Sequence, residues 1–168
     1  MLERIAAKRG KNMLESASKT QRGGEVVRIH TREQMPIHTL REELKSTLKP
    51  IVNAPITNQN DRRVAILSNK AIAKIYSTTS IQKSVKNGFT QEEHFAAAQN
   101  IKELYENSKL QASTSDRSGD TNLTIHRYVA DLNVNDKNAQ AKITLKETLK
   151  DGNRIYTMEL MELSRDSG

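Results

Sequence analysis

Acid–base and cationic side chains recur at alternate positions in the C-terminal third of the chain, residues 122–163. They comprise an imidazole, a phenol, two ammonium groups, two hydroxyls and a carboxylate: His126, Tyr128, Lys142, Lys146, Thr144, Thr157 and Glu159. An imidazole transfers protons near neutral pH and ammonium groups stabilise negative charge, so this set suits acid–base chemistry on a phosphodiester. Antiparallel sheets also commonly have one solvated face on which Lys and Thr are ordinary, so a purely structural interpretation stays open.

Three runs of alternating residues must position this set. They cover residues 121–134, 138–150 and 153–163, and the Asp-Gly between the last two is a strong hairpin signal. Because successive strand side chains point to opposite faces, we expect each run to have one core-like and one polar face. The core-like residues are Ile125 and Val129, then Ala141, Ile143 and Leu145, then Tyr156, Met158 and Leu160. The polar residues above would then share one open face.

Helical periodicity dominates the chain before these runs. Apolar spacing and capping side chains predict helices at 36–49, 68–76 and 90–105. Thr90 and Glu93 form the capping box of the third. Shorter elements are expected as follows: strands at 25–30 and 62–67, a helical piece within 77–88, and loops at 50–60 and 108–121. The predicted fold class is α+β, with N-terminal helices packed on a small antiparallel sheet whose last three strands form a meander.

His94 falls on the inward side of the first turn of the third helix. A helix N-terminus disfavours the imidazolium and favours the neutral ring, which can serve as a general base. Packing of this helix near the sheet would bring His94 to His126. The alternative is that His94 is a boundary histidine whose hydrogen bonds are satisfied within the fold.

The charge balance of the 168 residues is basic. A net charge of +7 and a pI of about 9.7 favour polyanionic partners such as nucleic acid or an acidic inhibitor. The absence of cysteine excludes a disulfide framework, a thiol nucleophile and a Cys-based zinc site. No apolar run is long enough to span a membrane, and the N-terminus lacks a secretory signal. We expect residues 1–24 to be a flexible basic segment and residues 25–168 to be a single α+β domain.

Motifs of several common enzyme classes are missing. The sequence has no P-loop, GxGxxG, HExxH or GxSxG motif, which counts against NTPases, dinucleotide enzymes, zinc hydrolases and esterases of those types. His30 and His38 lie eight residues apart across a proline, so no metal site is predicted.

Four stretches carry a family resemblance: NGFTQEEHFAAAQNIKELYENSK, NLTIHRYVA, AKITLKET and GNRIYTMELMEL. Over residues 50–163 the chain resembles the phage- and mobile-element-associated domains of the barnase–EndoU–colicin–RelE class of ribonucleases. Those domains occur in large polyvalent phage proteins and polymorphic toxins. The most telling parts are the helix with His94 and Asn100, the His126-Arg127-Tyr128 strand, the Lys142-x-Thr144-x-Lys146 strand and Tyr156-Thr157.

The resemblance implies metal-independent RNA cleavage with no cofactor, in which a ribose 2′-OH attacks the adjacent phosphorus. It assigns proton transfer to His126 and His94, charge stabilisation to Lys142 and Lys146, phosphate positioning to Thr157 and Thr144, and substrate contacts to Tyr128, Arg127 and Arg154. Tyr128 would stack on a base or only pack. Arg127 has the core-side parity, so it would sit at the sheet edge or pair with an acid such as Asp131.

Two other functions stay open. A non-catalytic module of the same fold would bind RNA or a protein partner without cleavage. An ADP-ribosyltransferase or other effector is less well supported, because the sequence lacks a convincing NAD-binding signature. For the nuclease, the implied partners are RNA, with tRNA among the candidates, and an acidic immunity or inhibitor protein. The implied location is the cytoplasm of a bacterium or of a target cell.

Overall fold

The computed structural model of the protein describes residues 26–31, 34–115 and 123–165. Within these ranges the chain forms five α-helices and seven strands, which confirms the α+β class. In chain order they are β1 (Val27–Ile29), α1 (Ile37–Leu48), β2 (Pro55–Thr57), β3 (Val64–Ile66), α2 (Asn69–Ile75), α3 (Thr78–Lys86), α4 (Gln91–Ala98), α5 (Ile101–Asn107), β4 (Lys109–Ser115), β5 (Leu123–Val134), β6 (Lys137–Lys150) and β7 (Asn153–Arg165), with a short 3₁₀ helix, Lys49–Ile51, after α1. The predicted basic segment, residues 1–24, lies outside the described residues. None of the helices in these ranges is long and apolar enough to cross a membrane.

All seven strands belong to one mixed sheet. Six follow the order β1-β5-β6-β7-β3-β2, and β4 pairs with β5. The strands β5, β6 and β7 pair antiparallel in succession, whereas β1 pairs with β5 and β3 with β7 in parallel. The sheet is therefore larger than the antiparallel sheet expected from the sequence, and its arrangement differs. The parallel pairings join residues about 90 to 105 positions apart, which local alternation does not reveal.

The two predicted N-terminal caps, at Ser68 and Thr90, are confirmed, whereas the predicted length of the third helix is wrong. The hydroxyl of Thr90 accepts the Glu93 N–H at 3.0 Å, and the Glu93 carboxylate accepts the Thr90 N–H at 2.9 Å, so the capping box is present. Ser68 caps α2 by accepting the Ala71 N–H. The helix expected from residue 90 to 105 is split into α4 and α5, and the Asn100 side chain donates to a carbonyl of the preceding turn at 2.8 Å. Such a contact competes with continuation of the helix.

The core lies between the helices and one face of β5, β6 and β7. We call this the helix-covered face; it carries Tyr128, Ile143 and Met161, all fully buried. The helices contribute the following buried residues: Leu44, Leu48, Ile75, Phe95, Ile101, Leu104 and Tyr105. The other face, which we call the open face, carries mostly exposed or half-buried side chains, among them Arg127, Lys142, Thr144, Lys146 and Thr157.

Polar side chains of α3 satisfy the backbone of β7 where none of the described strands pairs with that edge. Strand β3 pairs with β7 only at Thr157. Beyond that point the Ser80 hydroxyl donates to the Met161 carbonyl at 2.8 Å, and the Leu163 N–H donates to the Ser84 hydroxyl at 2.9 Å. Unpaired edge groups are costly when buried, so these contacts fix α3 against the sheet.

Candidate functional site

The predicted site residues are divided between the two faces of the sheet. His126 pairs with Leu145 and Tyr128 pairs with Ile143, and because cross-strand partners share a face, both lie on the helix-covered face. His126 is 5% exposed and Tyr128 is fully buried. Four other expected members lie on the open face: Lys142, Thr144, Lys146 and Thr157. The seventh, Glu159, is the extra residue that β7 adds opposite β6, and its carboxylate accepts from Lys74 of α2 at 2.5 Å. The prediction that these residues share one face of the sheet is therefore wrong.

In β7, Leu160 was expected on the core side but pairs with Thr144 on the open face, and in β5 the parity error affects the whole strand. Ile125 and Val129 suggest one core side, but the strand continues into Ala130, Leu132 and Val134, which are all buried. These three residues share the parity of His126 and Tyr128. The longer apolar series therefore determines which face packs against the helices.

His126 lies at the centre of a chain of polar contacts. Its Nδ1 is 2.6 Å from the hydroxyl of Ser113 on β4, and its Nε2 is 2.6 Å from the carboxylate of Glu147 on β6. The other carboxylate oxygen of Glu147 accepts a hydrogen bond from Arg154 on β7. Four adjacent strands thus contribute one side chain each, and we call these four residues the His126 cluster.

Strand register explains why the four side chains meet. Ser113 is the direct cross-strand partner of His126. Glu147 lies two residues beyond Leu145, the partner of His126 on β6, and therefore on the same face. Diagonal neighbours on one face are within reach of long side chains. Arg154 approaches Glu147 in the same way across the β6–β7 hairpin.

The carboxylate of Glu147 is ionised and oriented by its neighbours. Burial opposes ionisation, but the hydrogen bonds from His126 and Arg154 outweigh it and hold the pKa of the Glu147 carboxyl below its usual value. Because a carboxylate only accepts hydrogen bonds, His126 Nε2 carries the hydrogen, which leaves Nδ1 facing the Ser113 hydroxyl on exposed β4. The Arg154 side chain is 63% exposed, so its remaining N–H groups can reach an anion in solvent.

A second polar group adjoins the His126 cluster through Tyr156. The Tyr156 ring lies 5.9 Å from the imidazole of His126, and the guanidinium of Arg63 lies 4.9 Å from the centre of the Tyr156 ring. Arg63 also donates to the Tyr128 hydroxyl at 2.7 Å, and that hydroxyl donates to Asp61 at 2.5 Å. Burial, together with the bond to Asp61, raises the pKa of Tyr128 to about 12. Of the two alternatives for Tyr128, the structure shows packing.

His94 occupies a different, fully enclosed position. Its Nε2 is 2.8 Å from the Ile75 carbonyl and its Nδ1 is 2.7 Å from the Ser84 hydroxyl. A carbonyl only accepts, so Nε2 donates and Nδ1 accepts from Ser84. Burial lowers the pKa of His94 and favours the neutral ring, which was expected from the helix N-terminus instead. Both ring nitrogens bind groups on α2 and α3, so the hydrogen bonds of His94 are satisfied within the fold. No ring nitrogen is left to contact a substrate.

The open face carries the lysines that were expected to stabilise charge on the phosphate, Lys142 and Lys146. In the ranges the structure describes, neither Lys142 nor Lys146 has an ion-pair or hydrogen-bond partner. Arg127 is exposed on this face and donates to the Thr114 hydroxyl at 3.5 Å, so its predicted core-side parity is wrong and it does not pair with Asp131. These cations and the His126 cluster lie on opposite sides of the sheet.

Sequence reasoning gave no site role to five residues of this region, although it named Tyr156 as core-like and as part of the resemblance: Ser113, Glu147, Asp61, Arg63 and Tyr156. Glu147 did carry a signal, because it shares the parity of Ile143 and Leu145, and an acid at a core position requires a partner. Ser113 carried none, since every residue of β4 is exposed and no buried alternation marks the strand. No group of three or more His, Asp or Glu side chains in the described ranges could hold a metal ion.

Fold and site together define an α+β domain with a polar cluster at one end of a mixed sheet. Residues 35–156 match the family described as large polyvalent protein-associated domain 3, and this segment is 122 of the 168 residues. The chain belongs to that family. No curated protein and no solved structure gives a significant match.

The family match supports the coarser part of the resemblance. Association with large polyvalent proteins agrees with the phage and polymorphic-toxin context that the resemblance implies. The matched segment contains all four members of the His126 cluster. The family description names no activity, so the barnase–EndoU–colicin–RelE nuclease class belongs to the proposal below.

Proposed function

We propose that the domain cleaves RNA without a metal ion and that the His126 cluster carries the reaction. One observation supports this most strongly. The His126 imidazole is bonded to a buried carboxylate on one side and to an exposed hydroxyl on the other, beside the solvent-exposed guanidinium of Arg154. An oriented imidazole next to a cation is what proton transfer at a phosphodiester requires.

The cleavage step uses groups on one face only. The ribose 2′-oxygen attacks the adjacent phosphorus and the bond from phosphorus to the 5′-oxygen breaks. His126 Nδ1 accepts the 2′-OH proton in place of the Ser113 hydroxyl, Glu147 stabilises the resulting imidazolium, and the 5′-oxygen leaves with a proton from water. Arg154 and Arg63 offset the charge that develops on the phosphate oxygens.

This proposal changes the roles first assigned to the open face. Lys142, Lys146 and Thr157 lie on the opposite face of the sheet from His126, so they cannot contact a phosphate that reacts beside His126. His94 is likewise outside the proposed site because α2 and α3 occupy both its nitrogens.

The test is incubation of the purified chain with total RNA in EDTA. His126→Ala and Arg154→Ala should lower the cleavage rate about 10²-fold or more. His38→Ala and Arg28→Ala are matched controls on the exposed surfaces of α1 and β1 and should cleave as the wild type does. Undiminished cleavage by His126→Ala would reject the site.

A second candidate is RNA binding without cleavage, through the open face. It is favoured by Lys146, whose ammonium has no partner among the described residues, and by the exposed Arg127; both lie beside the hydroxyls of Thr144 and Thr157. Cations on a sheet face bind the phosphate backbone with strong salt dependence. This candidate would be preferred if the wild type bound RNA but left it intact, and if Lys146→Ala weakened binding while His126→Ala did not.

A further inference from the structure

A concavity of about 570 Å³ lies at the C-terminal end of β7, away from the His126 cluster. The residues that line it include Lys86, Gly88, Gln140, Lys142, Ser164 and Arg165. Gln140 and Ser164 are direct cross-strand partners on β6 and β7, and Lys142 follows on the same open face. The concavity is open to solvent, and its volume is of the size that small-molecule sites have.

The hydroxyl of Ser164, a residue that lines this concavity, is buried and has no partner in the part of the chain that the structure describes. Ser164 is 9% exposed, and no group in the described part of the chain lies within hydrogen-bonding distance of its Oγ. Buried hydroxyls are nearly always paired, because an unpaired one forfeits its bonds to water. Rotation of the Ser164 side chain toward the concavity would let a ligand with hydrogen-bonding oxygens supply the missing partner.

Positive charge prevails around this hydroxyl. Lys86, Lys142 and Arg165 all line the concavity. Two acids lie on neighbouring strand positions: Glu162, opposite Lys142 on β7, lies 4.0 Å from the Lys83 ammonium, and Asp131 accepts from Gln140 at 3.4 Å. Among the described residues, none of the three lining cations forms an ion pair with an acid, so they can face an anion.

Gly88 allows Arg165 to lie across the end of α3. Arg165 Nε donates to the Asn87 carbonyl at 3.3 Å, which leaves its terminal N–H groups for other acceptors. A Cβ at Gly88 would lie 2.8 Å from Arg165 Nη2, and the φ of +99° also disfavours other residues. A guanidinium held in this way presents a planar donor set that matches phosphate oxygens.

We propose that this concavity binds a phosphate monoester of mononucleotide size. Three cations suit a dianion better than a single carboxylate, and the volume exceeds what a bare phosphate would fill. The buried Ser164 hydroxyl and the Gln140 amide supply neutral hydrogen bonds beside the charge. A free nucleotide and the 5′-phosphate end of an RNA strand share this chemistry.

Calorimetric titration of the full chain with AMP tests the proposal. AMP should bind at one site, and adenosine, which lacks the phosphate, should not. Lys142→Ala and Arg165→Ala should each weaken AMP binding about tenfold, whereas Lys70→Ala, on the exposed surface of α2, should not. A 5′-phosphorylated trinucleotide that binds much more tightly than AMP assigns the site to RNA ends, and weaker binding assigns it to free nucleotides.

Ser164→Ala separates binding from folding. Because the hydroxyl has no partner among the described residues, the variant should melt at the wild-type temperature or higher while it binds AMP more weakly. His126→Ala should bind AMP as the wild type does, so failure of the cleavage proposal leaves this one intact. Equal binding of adenosine and AMP, or wild-type affinity in both cation variants, would overturn it. A lowered melting temperature in Ser164→Ala would also count against it, since it would reveal an internal partner.

Discussion

His126 Nε2 and Glu147 Oε1 lie 2.6 Å apart across the antiparallel pair β5–β6, on the face of the sheet that the helices cover. The contact joins a ring that can carry a proton to a carboxylate that can stabilise the protonated ring. Arg154 fixes the same carboxylate from the next strand. The proposed chemistry therefore depends on three neighbouring strands keeping one register.

Glu147→Gln should change how stability depends on pH. The pKa of Glu147 in the folded protein is below its ordinary value of 4.5, so its contribution is present above about pH 4.5 and is lost as pH falls through the lower value. Urea denaturation at several pH values should show the largest loss of unfolding free energy near neutrality and a shrinking loss under acid. A loss independent of pH would contradict the ionised pair.

His94→Ala should destabilise the protein rather than act on catalysis alone. It removes a buried ring and leaves the Ser84 hydroxyl and the Ile75 carbonyl without that partner, at a cost of about 2–5 kcal/mol. Urea denaturation at neutral pH measures this. Full stability with lost cleavage would return His94 to the catalytic set.

The buried ring of His94 should also produce an acid-dependent loss of stability. Its folded pKa lies below 6.5, so the unfolded chain binds more protons as the solution is acidified, and wild-type stability should fall below about pH 6.5. The slope should be smaller in His94→Ala. Equal slopes in the two proteins would mean that the ring is charged or accessible in the fold.

Ser84→Ala should test the contact between α3 and β7. The hydroxyl accepts the Leu163 N–H and donates to His94, so its removal leaves two buried groups unpaired and should cost about 2–4 kcal/mol. Thermal unfolding measures the change. Ser46→Ala, exposed on α1, is the matched control and should stay within about 0.5 kcal/mol of the wild type.

Tyr128→Phe should affect stability and leave RNA affinity unchanged. It keeps the buried ring but removes the hydroxyl that links Asp61 and Arg63, at a cost of about 1–2 kcal/mol. Urea denaturation and RNA binding by fluorescence anisotropy would be measured on the same preparation. Weaker RNA binding at unchanged stability would show that Tyr128 contacts substrate after all.

Features with local causes could be predicted from the sequence. The capping box at Thr90, the Ser68 cap and the alternation of β6 each depend on a few neighbouring residues. Glu159 shows the limit of that reasoning. It is an extra residue of β7 without a direct partner on β6, so the core-facing side chains change from the parity of Met158 to that of Met161. Alternation alone does not indicate such a bulge.

Features that depend on distant partners could not be predicted in this way. β5 has apolar residues on both parities, and only the packing of the helices shows that His126 faces inward. β4 is wholly exposed and lacks an alternating pattern, so its pairing of Ser113 with His126 left no mark in the sequence. The candidate site required both features.

The most direct test of the central claim is cleavage of a defined oligoribonucleotide in EDTA, with the new ends identified by mass spectrometry. The wild type should leave 2′,3′-cyclic phosphate ends and spare the all-deoxy strand, because the attacking oxygen is the 2′-OH. His126→Ala should lower the rate about 10²-fold or more, and His38→Ala should not. Equal rates for His126→Ala and the wild type, or cleavage of the deoxy strand, would contradict the account.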